Sequence, residues 1–91
     1  METANHRQSK RQKVTDTALK LLGKSPTRTR AFVQPLTADV TIYLSEQQPT
    51  GEVGAQGVPV VYPNAIEILD RDEVWAVAGD TCEVVVTELT L

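Results

Sequence analysis

The hydrophobic and polar positions divide the chain into a short first part with a helical pattern and a longer second part with strand patterns. Within residues 14–22, Val14, Ala18 and Leu21 or Leu22 recur at the spacing of one helical face. The pattern predicts a helix of about nine residues, shorter than the ~12–15 residues that an isolated helix needs in water. We therefore expect it to form only when its apolar side is covered.

From residue 31 onward the pattern changes to short strands separated by turns. Val40, Ile42 and Leu44 alternate with more polar neighbours, as in a strand with one buried face. Pro59 places its strand at the edge of a sheet, because proline cannot donate a ladder hydrogen bond. The fold class predicted is a small antiparallel β-sandwich or barrel. Its strands are predicted at 31–34, 39–45, 57–62, 65–69, 74–78 and 82–89.

The last two strands, 74–78 and 82–89, are predicted to pair with each other as a closing hairpin. In that hairpin Trp75, Val77 and Val85 would share a second apolar face, in addition to the face that meets the core. The second face would contact the helix, a loop or another subunit. A single tryptophan is commonly buried, but an exposed Trp75 would be the natural anchor of an interface.

The charges separate along the same boundary. Residues 1–30 contain eight bases and two acids, a net charge of +6, whereas residues 31–91 contain one base and ten acids, a net charge of −9. The two parts together give the net charge of −3. This asymmetry predicts a basic N-terminal arm with the short helix, attached to an acidic β domain at residues 31–91. The polar stretch before the helix is expected to be disordered by itself.

Candidate catalytic and metal-binding residues are few. His6 is the only histidine and Cys82 the only cysteine, so neither a histidine-assisted nucleophile nor a zinc-like ligand set has the required spacing. Cys82 is expected to be a small buried residue. Asp70 and Asp72 lack the rest of a calcium loop. We expect no enzyme activity, no cofactor and no metal. No apolar run reaches the ~20 residues of a membrane span, so no membrane partner is expected.

The basic arm is the candidate binding element. Clustered cations bind nucleic acid through phosphates, and they also dock on acidic protein surfaces. Residues 1–31 contain no aromatic side chain for stacking on bases, which favours a protein partner over nucleic acid. The residues predicted to bind partners are Arg7, Lys10, Arg11, Lys13, Leu19, Leu21, Leu22, Lys24, Arg28, Arg30, Trp75, Val77 and Val85.

Three segments, VTIYLS, GVPVVYPNAIEI and VWAVAG with CEVVVTEL, cover about half of the chain. Together they resemble small structural proteins of tailed bacteriophage virions, of the head decoration, cement or head-fibre type. The resemblance implies a β-sandwich subunit without catalysis that attaches to a viral shell, often as a homo-oligomer. Its partner would be the major capsid protein or another virion protein, and its location the virion, after synthesis in the host cytoplasm.

The resemblance implies a non-enzymatic virion structural protein that decorates or cements a phage capsid, and the basic N-terminal arm is the element expected to attach it. A head-tail connector or tail structural component is an alternative within the same class. A small nucleic-acid-binding protein that uses the arm on phosphates is an alternative of a different class. A third alternative is a small regulator whose acidic domain occupies a host enzyme as a DNA mimic.

Overall fold

The computed structural model describes residues 6–91, and the regular secondary structure within this range consists of β-strands only. The mainly β fold predicted from the alternating pattern is confirmed. The eight strands are β1 (His6–Val14), β2 (Leu19–Leu22), β3 (Arg28–Pro35), β4 (Thr41–Ser45), β5 (Val58–Val61), β6 (Ile66–Ile68), β7 (Val74–Ala78) and β8 (Cys82–Thr90).

The strands form two four-stranded sheets in which every neighbouring pair is antiparallel. Sheet A has the order β1-β8-β3-β6, and sheet B has the order β2-β7-β4-β5. The edge strands are therefore β1 and β6 in sheet A, and β2 and β5 in sheet B. The expected edge position of the strand that contains Pro59 is confirmed, since within residues 6–91 β5 pairs with β4 alone.

One hydrophobic core is built from the inward faces of both sheets. It consists mainly of valine, leucine, isoleucine and alanine, because the chain has few aromatic residues. Cys82 is fully buried there, as expected. Sheet A contributes Val14, Ala31, Val33, Cys82, Val84 and Val86, and sheet B contributes Leu21, Leu22, Ile42, Leu44, Val60, Val74, Ala76 and Ala78.

The prediction of a helix over residues 14–22 is wrong, because the chain forms the end of β1, a turn and β2 there. The helical spacing arose from two consecutive buried leucines, Leu21 and Leu22. Consecutive strand residues normally face opposite sides, but a register shift between Lys20 and Leu22 lets both leucines enter the core. Burial of both side chains in the core between the two sheets fixes the register of β2 on β7.

The separate basic arm is likewise not seen in the described residues. All nine residues of β1 pair with β8, from His6 opposite Thr90 to Val14 opposite Cys82. This polar stretch forms a strand because its backbone groups pair with those of the long β8. The backbone hydrogen bonds order the segment although most of its side chains are polar. The part of the predicted arm that precedes His6 lies outside the described residues.

The predicted closing hairpin is also wrong. β7 pairs with β2 and β4 in sheet B, whereas β8 pairs with β1 and β3 in sheet A. The chain crosses from one sheet to the other between Ala78 and Cys82. Of the consecutive strands in the described range, only β4 and β5 form a hairpin.

Candidate functional site

Most of the predicted partner-binding cations of β1 and β3 lie on the outer surface of sheet A. Val84 and Val86 of β8 are buried in the core, so the alternate residues of β8 and their partners on β1 and β3 face outward. We call this surface the basic face. It comprises Arg7, Arg11, Lys13, Arg30, Phe32 and Val85, together with the acids Glu67 and Glu83.

The basic face has an excess of positive charge that its own acids do not neutralise. Arg11 lies 3.9 Å from Glu83, and Arg30 lies 2.6 Å from Glu67. Arg7 and Lys13 form no ion pair with any described residue. These four cations face two carboxylates, and exposed ion pairs contribute only about 0–1 kcal/mol each. The surface is therefore suited to an anionic partner.

An aromatic ring lies within this cationic surface. The Arg30 guanidinium lies 5.8 Å from the centre of the half-buried Phe32 ring, a cation–π distance. Along the sequence the cations are remote from any aromatic residue, because residues 1–31 contain none. Pairing of both β1 and β3 with β8 brings Phe32 onto the same face as Arg7 and Arg11.

Lys10 is separated from the other cations of β1 by the alternation of the strand. Its opposite residue in the ladder, Val86, is buried, so Lys10 lies on the inner side of sheet A. There it lines an open groove of about 560 Å³, whose other walls include Leu21, Leu22 and Glu88. The side chain of Lys10 is exposed to solvent in this groove. Lys10 is thus available to a ligand, but not on the basic face.

Arg28 was predicted to contact a partner, but the structure buries it completely. Its guanidinium donates hydrogen bonds to the carbonyl oxygens of Gly23 at 3.1 Å, Asp70 at 3.2 Å and Asp72 at 2.5 Å. It also lies 3.5 Å from the Glu88 carboxylate. A side chain with no exposed surface cannot contact a partner, so the prediction that Arg28 binds a partner is corrected.

Arg28 instead joins three separate segments. Its acceptors belong to the loop after β2, the turn between β6 and β7, and strand β8. Arg71 reinforces the same junction, because its Nε donates to the Arg28 carbonyl oxygen at 3.0 Å. In the sequence, Arg28 looks the same as its exposed neighbour Arg30, since both belong to the segment KSPTRTR.

Leu19, Leu21 and Leu22, the three leucines predicted as hydrophobic anchors for a partner, pack in or against the hydrophobic core. Leu21 and Leu22 are buried, and the half-buried Leu19 packs against the core cluster. The prediction that they present an apolar surface to a partner is therefore corrected. Lys24, in contrast, is exposed in the loop after β2, beside a small pocket that Asp72 and Glu73 also line.

Trp75 is half-buried on the outer surface of sheet B and is fixed by two charged neighbours. Its indole nitrogen donates to the Glu73 carboxylate at 3.0 Å, and the Lys20 ammonium lies 5.7 Å from the ring centre. Lys20 also lies 3.5 Å from Glu73. The hydrogen bond from Trp75 and the nearby charge of Lys20 lower the pKa of Glu73, although burial opposes this shift. Trp75 is therefore neither core nor freely exposed.

The predicted shared face of Trp75, Val77 and Val85 does not exist. Trp75 and Val77 lie on the outer surface of sheet B, whereas Val85 lies on the outer surface of sheet A. The separation follows from placing β7 and β8 in different sheets. Val77 is itself buried, because Tyr43 lies opposite it and the loop backbone at Gly54 lies against the Tyr43 ring.

A second surface, which the sequence did not point to, lies at the edge formed by β5 and β6. We call it the apolar edge. Four of the six exposed large apolar side chains of residues 6–91 lie there: Val58, Val61, Tyr62 and Leu69. Exposed apolar residues concentrated in one place mark interaction surfaces. The edge position of Pro59 is a usable signal, but the pattern could not show that β5 and β6, which belong to different sheets, border the same cleft.

Beside the apolar edge, an open cleft of about 610 Å³ enters between the two sheets. Its floor is apolar and includes Leu44, Ile66 and Ile68. Its rim is polar and carries amide and carboxylate groups, from Gln47, Gln48, Gln56, Glu46 and Asp70. An apolar floor with polar groups at the rim is typical of a ligand or peptide site.

Residues 6–91 contain no group of three or more His, Cys, Asp or Glu side chains that could hold a metal ion. No helix in that range is long and apolar enough to cross a membrane. Comparisons with protein-family models, with curated proteins and with solved structures gave no match. The function is therefore inferred from the two surfaces and from the resemblance of the sequence segments given above.

Proposed function

We propose that this chain is a non-enzymatic structural protein of a bacteriophage virion, which decorates or cements the capsid through its basic face. The observation that carries the proposal is the clustering of Arg7, Arg11, Lys13 and Arg30 on one surface of sheet A. All four are among the residues that the sequence predicts to bind a partner. The partner would be the major capsid protein or another virion protein that presents an acidic surface.

The strand geometry supports attachment to a protein. Cations on a rigid sheet lose little conformational freedom of the backbone when they bind, unlike those of a disordered arm. The half-buried Phe32 and Val85 lie among them and provide apolar contact area. Apolar and aromatic groups within a charged rim are the usual composition of protein interfaces. A connector or tail position would use the same face.

Nucleic-acid binding is a second candidate, and one observation favours it. Phe32 lies on the same face as Arg7 and Arg11, so the face combines a ring for stacking with phosphate-binding charges. Against it, Arg30 lies over the Phe32 ring at 5.8 Å and pairs with Glu67. The ring is thus less accessible to a base, and Glu67 and Glu83 repel phosphates.

The first experiment looks for the chain in virus particles. Particles released by the source organism are banded by density, and mass spectrometry quantifies the chain relative to the major capsid protein. The proposal expects the chain at a fixed ratio in the banded particles. Its absence from such particles would refute virion attachment.

The second experiment tests the basic face. The double variant Arg7→Gln/Lys13→Gln removes two unpaired cations. Its binding to particles that lack the chain should be at least about tenfold weaker than that of the wild-type protein, because each removed ionic contact costs on the order of 1 kcal/mol. Each single variant, Arg7→Gln and Lys13→Gln, is also compared with Lys24→Gln, which removes one charge from an exposed position outside the basic face. Equal weakening by Lys24→Gln would show that only the net charge matters.

The nucleic-acid alternative is tested with a labelled DNA duplex by fluorescence anisotropy at increasing salt. Binding through the basic face should fall with a log-log slope of about −0.9 per phosphate contacted. The wild-type protein and the Arg7→Gln/Lys13→Gln variant are compared. If the wild-type protein binds DNA at micromolar concentration and the double variant does not, nucleic acid and not a capsid protein would be the partner of the basic face.

A further inference from the structure

We propose that the apolar edge of one copy binds the β1 edge of a second copy, so that sheet A continues from molecule to molecule. Both β1 and β6 are edge strands of sheet A. Each has one side without a strand partner in the described structure, and such a side offers backbone N–H and C=O groups to another strand. Assembly of this kind involves only copies of the chain itself and does not depend on the proposed capsid attachment.

The strand directions of sheet A permit this continuation. Every neighbouring pair in the order β1-β8-β3-β6 is antiparallel, so β1 and β6 run in opposite directions. A second copy in the same orientation therefore places its β1 antiparallel to β6 of the first. In that arrangement the core-facing sides of both sheets also lie on the same side.

The charges favour this pairing over its alternatives. β1 carries four cations, Arg7, Lys10, Arg11 and Lys13, and no acid. The cleft rim and β6 carry three acids, Glu46, Asp70 and Glu67, and no base. Pairing of β1 with β1 would place four cations opposite four cations, which like-charge repulsion disfavours. Pairing of β1 with β6 instead places Lys10 near the acids of the cleft rim. It places the outer cations of β1 near Glu67, which also pairs with Arg30.

The cleft matches the inner side of β1. In the continued sheet, the inner-side residues Gln8, Lys10 and Gln12 of the second copy would face the cleft of the first. The cleft rim offers Glu46, Asp70 and three glutamine amides, which can accept and donate hydrogen bonds to such side chains. Glu46 and Asp70 form no ion pair among residues 6–91. Asp70 Oδ1 accepts a hydrogen bond from the Asp72 backbone N–H at 3.1 Å, and its other carboxylate oxygen can still accept from Lys10.

The apolar part of the edge provides the driving force. Val58 is 53% exposed and Leu69 is 68% exposed in the single chain. Burial of apolar surface stabilises a contact by about 25 cal/mol per Å², whereas the three residues of β6 supply only a short ladder. The methylene groups of Lys10 can cover part of the cleft floor while its ammonium reaches the rim.

This contact joins two different surfaces, so it is not closed by a single pair of molecules. A head-to-tail contact produces a ring or a helical filament. The twist of a β-sheet rotates each strand relative to the one before it, so successive copies would rotate in the same sense. The expected product is an open series of oligomers, not a single dimer.

Sedimentation velocity of the purified full chain, from micromolar to millimolar concentration, tests the proposal. The wild-type protein should form a series of oligomers beyond the dimer, and salt should weaken it. Lys10→Glu and Glu46→Lys should each weaken association at least about tenfold. Glu52→Lys is the matched control, because Glu52 is exposed in the same loop but does not line the cleft.

Mixing the Lys10→Glu and Glu46→Lys variants should restore association, because Lys10 of one variant can still meet Glu46 of the other. Circular dichroism confirms that each variant retains its β structure. A wild-type protein that stays monomeric at millimolar concentration would overturn the proposal. So would a species that stops at the dimer, or association that Glu52→Lys weakens as much as Glu46→Lys does.

Discussion

Replacement of the buried Arg28 is expected to cost more stability than any other single substitution of a charged residue in the described structure. Its guanidinium donates to the carbonyl oxygens of Gly23, Asp70 and Asp72 and pairs with Glu88, with no exposed surface of its own. Arg28→Ala leaves these acceptors without their donor in a protein environment, where unsatisfied polar groups are costly.

The magnitude follows from the interactions that the substitution removes. Removing one partner of a buried charge pair costs about 3–5 kcal/mol, and the Glu88 side chain is only 24% exposed. A chain of this length has a total stability of about 5–14 kcal/mol. We therefore expect Arg28→Ala to reduce the free energy of unfolding by about 3–5 kcal/mol, which lowers the Tm by at least about 12 °C for a domain of this size.

Urea unfolding monitored by the fluorescence of Trp75, the only tryptophan, measures this reduction. Arg30→Ala is the matched control, because the Arg30 side chain is 55% exposed and its ion pair with Glu67 is at the surface. The control should lose about 1 kcal/mol or less. If Arg28→Ala lost no more than Arg30→Ala, the hydrogen bonds to the three carbonyl groups would not hold the junction together.

Gly57→Ala should destabilise the fold by about 1–3 kcal/mol in the same urea unfolding assay, since Gly57 has φ of +99° and an added Cβ would lie 2.7 Å from the Leu44 carbonyl oxygen. Gly79→Ala should leave the free energy of unfolding nearly unchanged, because an added Cβ there meets no atom within 4 Å. The pKa of Glu73 is lowered chiefly by the Trp75 hydrogen bond. The ionised Glu73 carboxylate therefore stabilises the folded state fully at pH values above the usual carboxyl pKa near 4.5. This stabilisation is lost as the pH falls through the lower pKa that Glu73 has in the folded protein. Trp75→Phe should raise the Glu73 pKa in an NMR titration, and an unchanged pKa would exclude the indole as the main cause. Gln48→Ala at the cleft rim should leave folding unchanged, because Gln48 is exposed, and a large drop in stability would show that the cleft is part of the core.

Part of the candidate site could be predicted from local sequence, and part could not. Arg7, Arg11 and Arg30 are exposed, as the charge of each side chain by itself favours, and their role in binding a partner stays a prediction. Arg28 was misassigned, since only the later segments around Asp70, Asp72 and Glu88 bury it. Its burial depends on residues about 40 to 60 positions distant in the chain.

The sequence by itself determined the β class, the edge position of Pro59 and the separation of charge between the first 30 residues and the rest. These follow from alternation, from proline's missing N–H and from composition, which are all local properties. Only the tertiary structure decided which strands are neighbours. It converted the predicted helix and arm into β1 and β2, and placed β7 and β8 in different sheets.

The physical reason is that strand pairing is a non-local choice. A strand's alternation fixes which side chains share a face, but any other strand of matching pattern can complete its ladder. Burial of Leu21 and Leu22 on sheet B, and of Val14 on sheet A, selected the partners. That selection placed the cations on one face of sheet A and left β6, with its exposed Leu69, at the opposite edge.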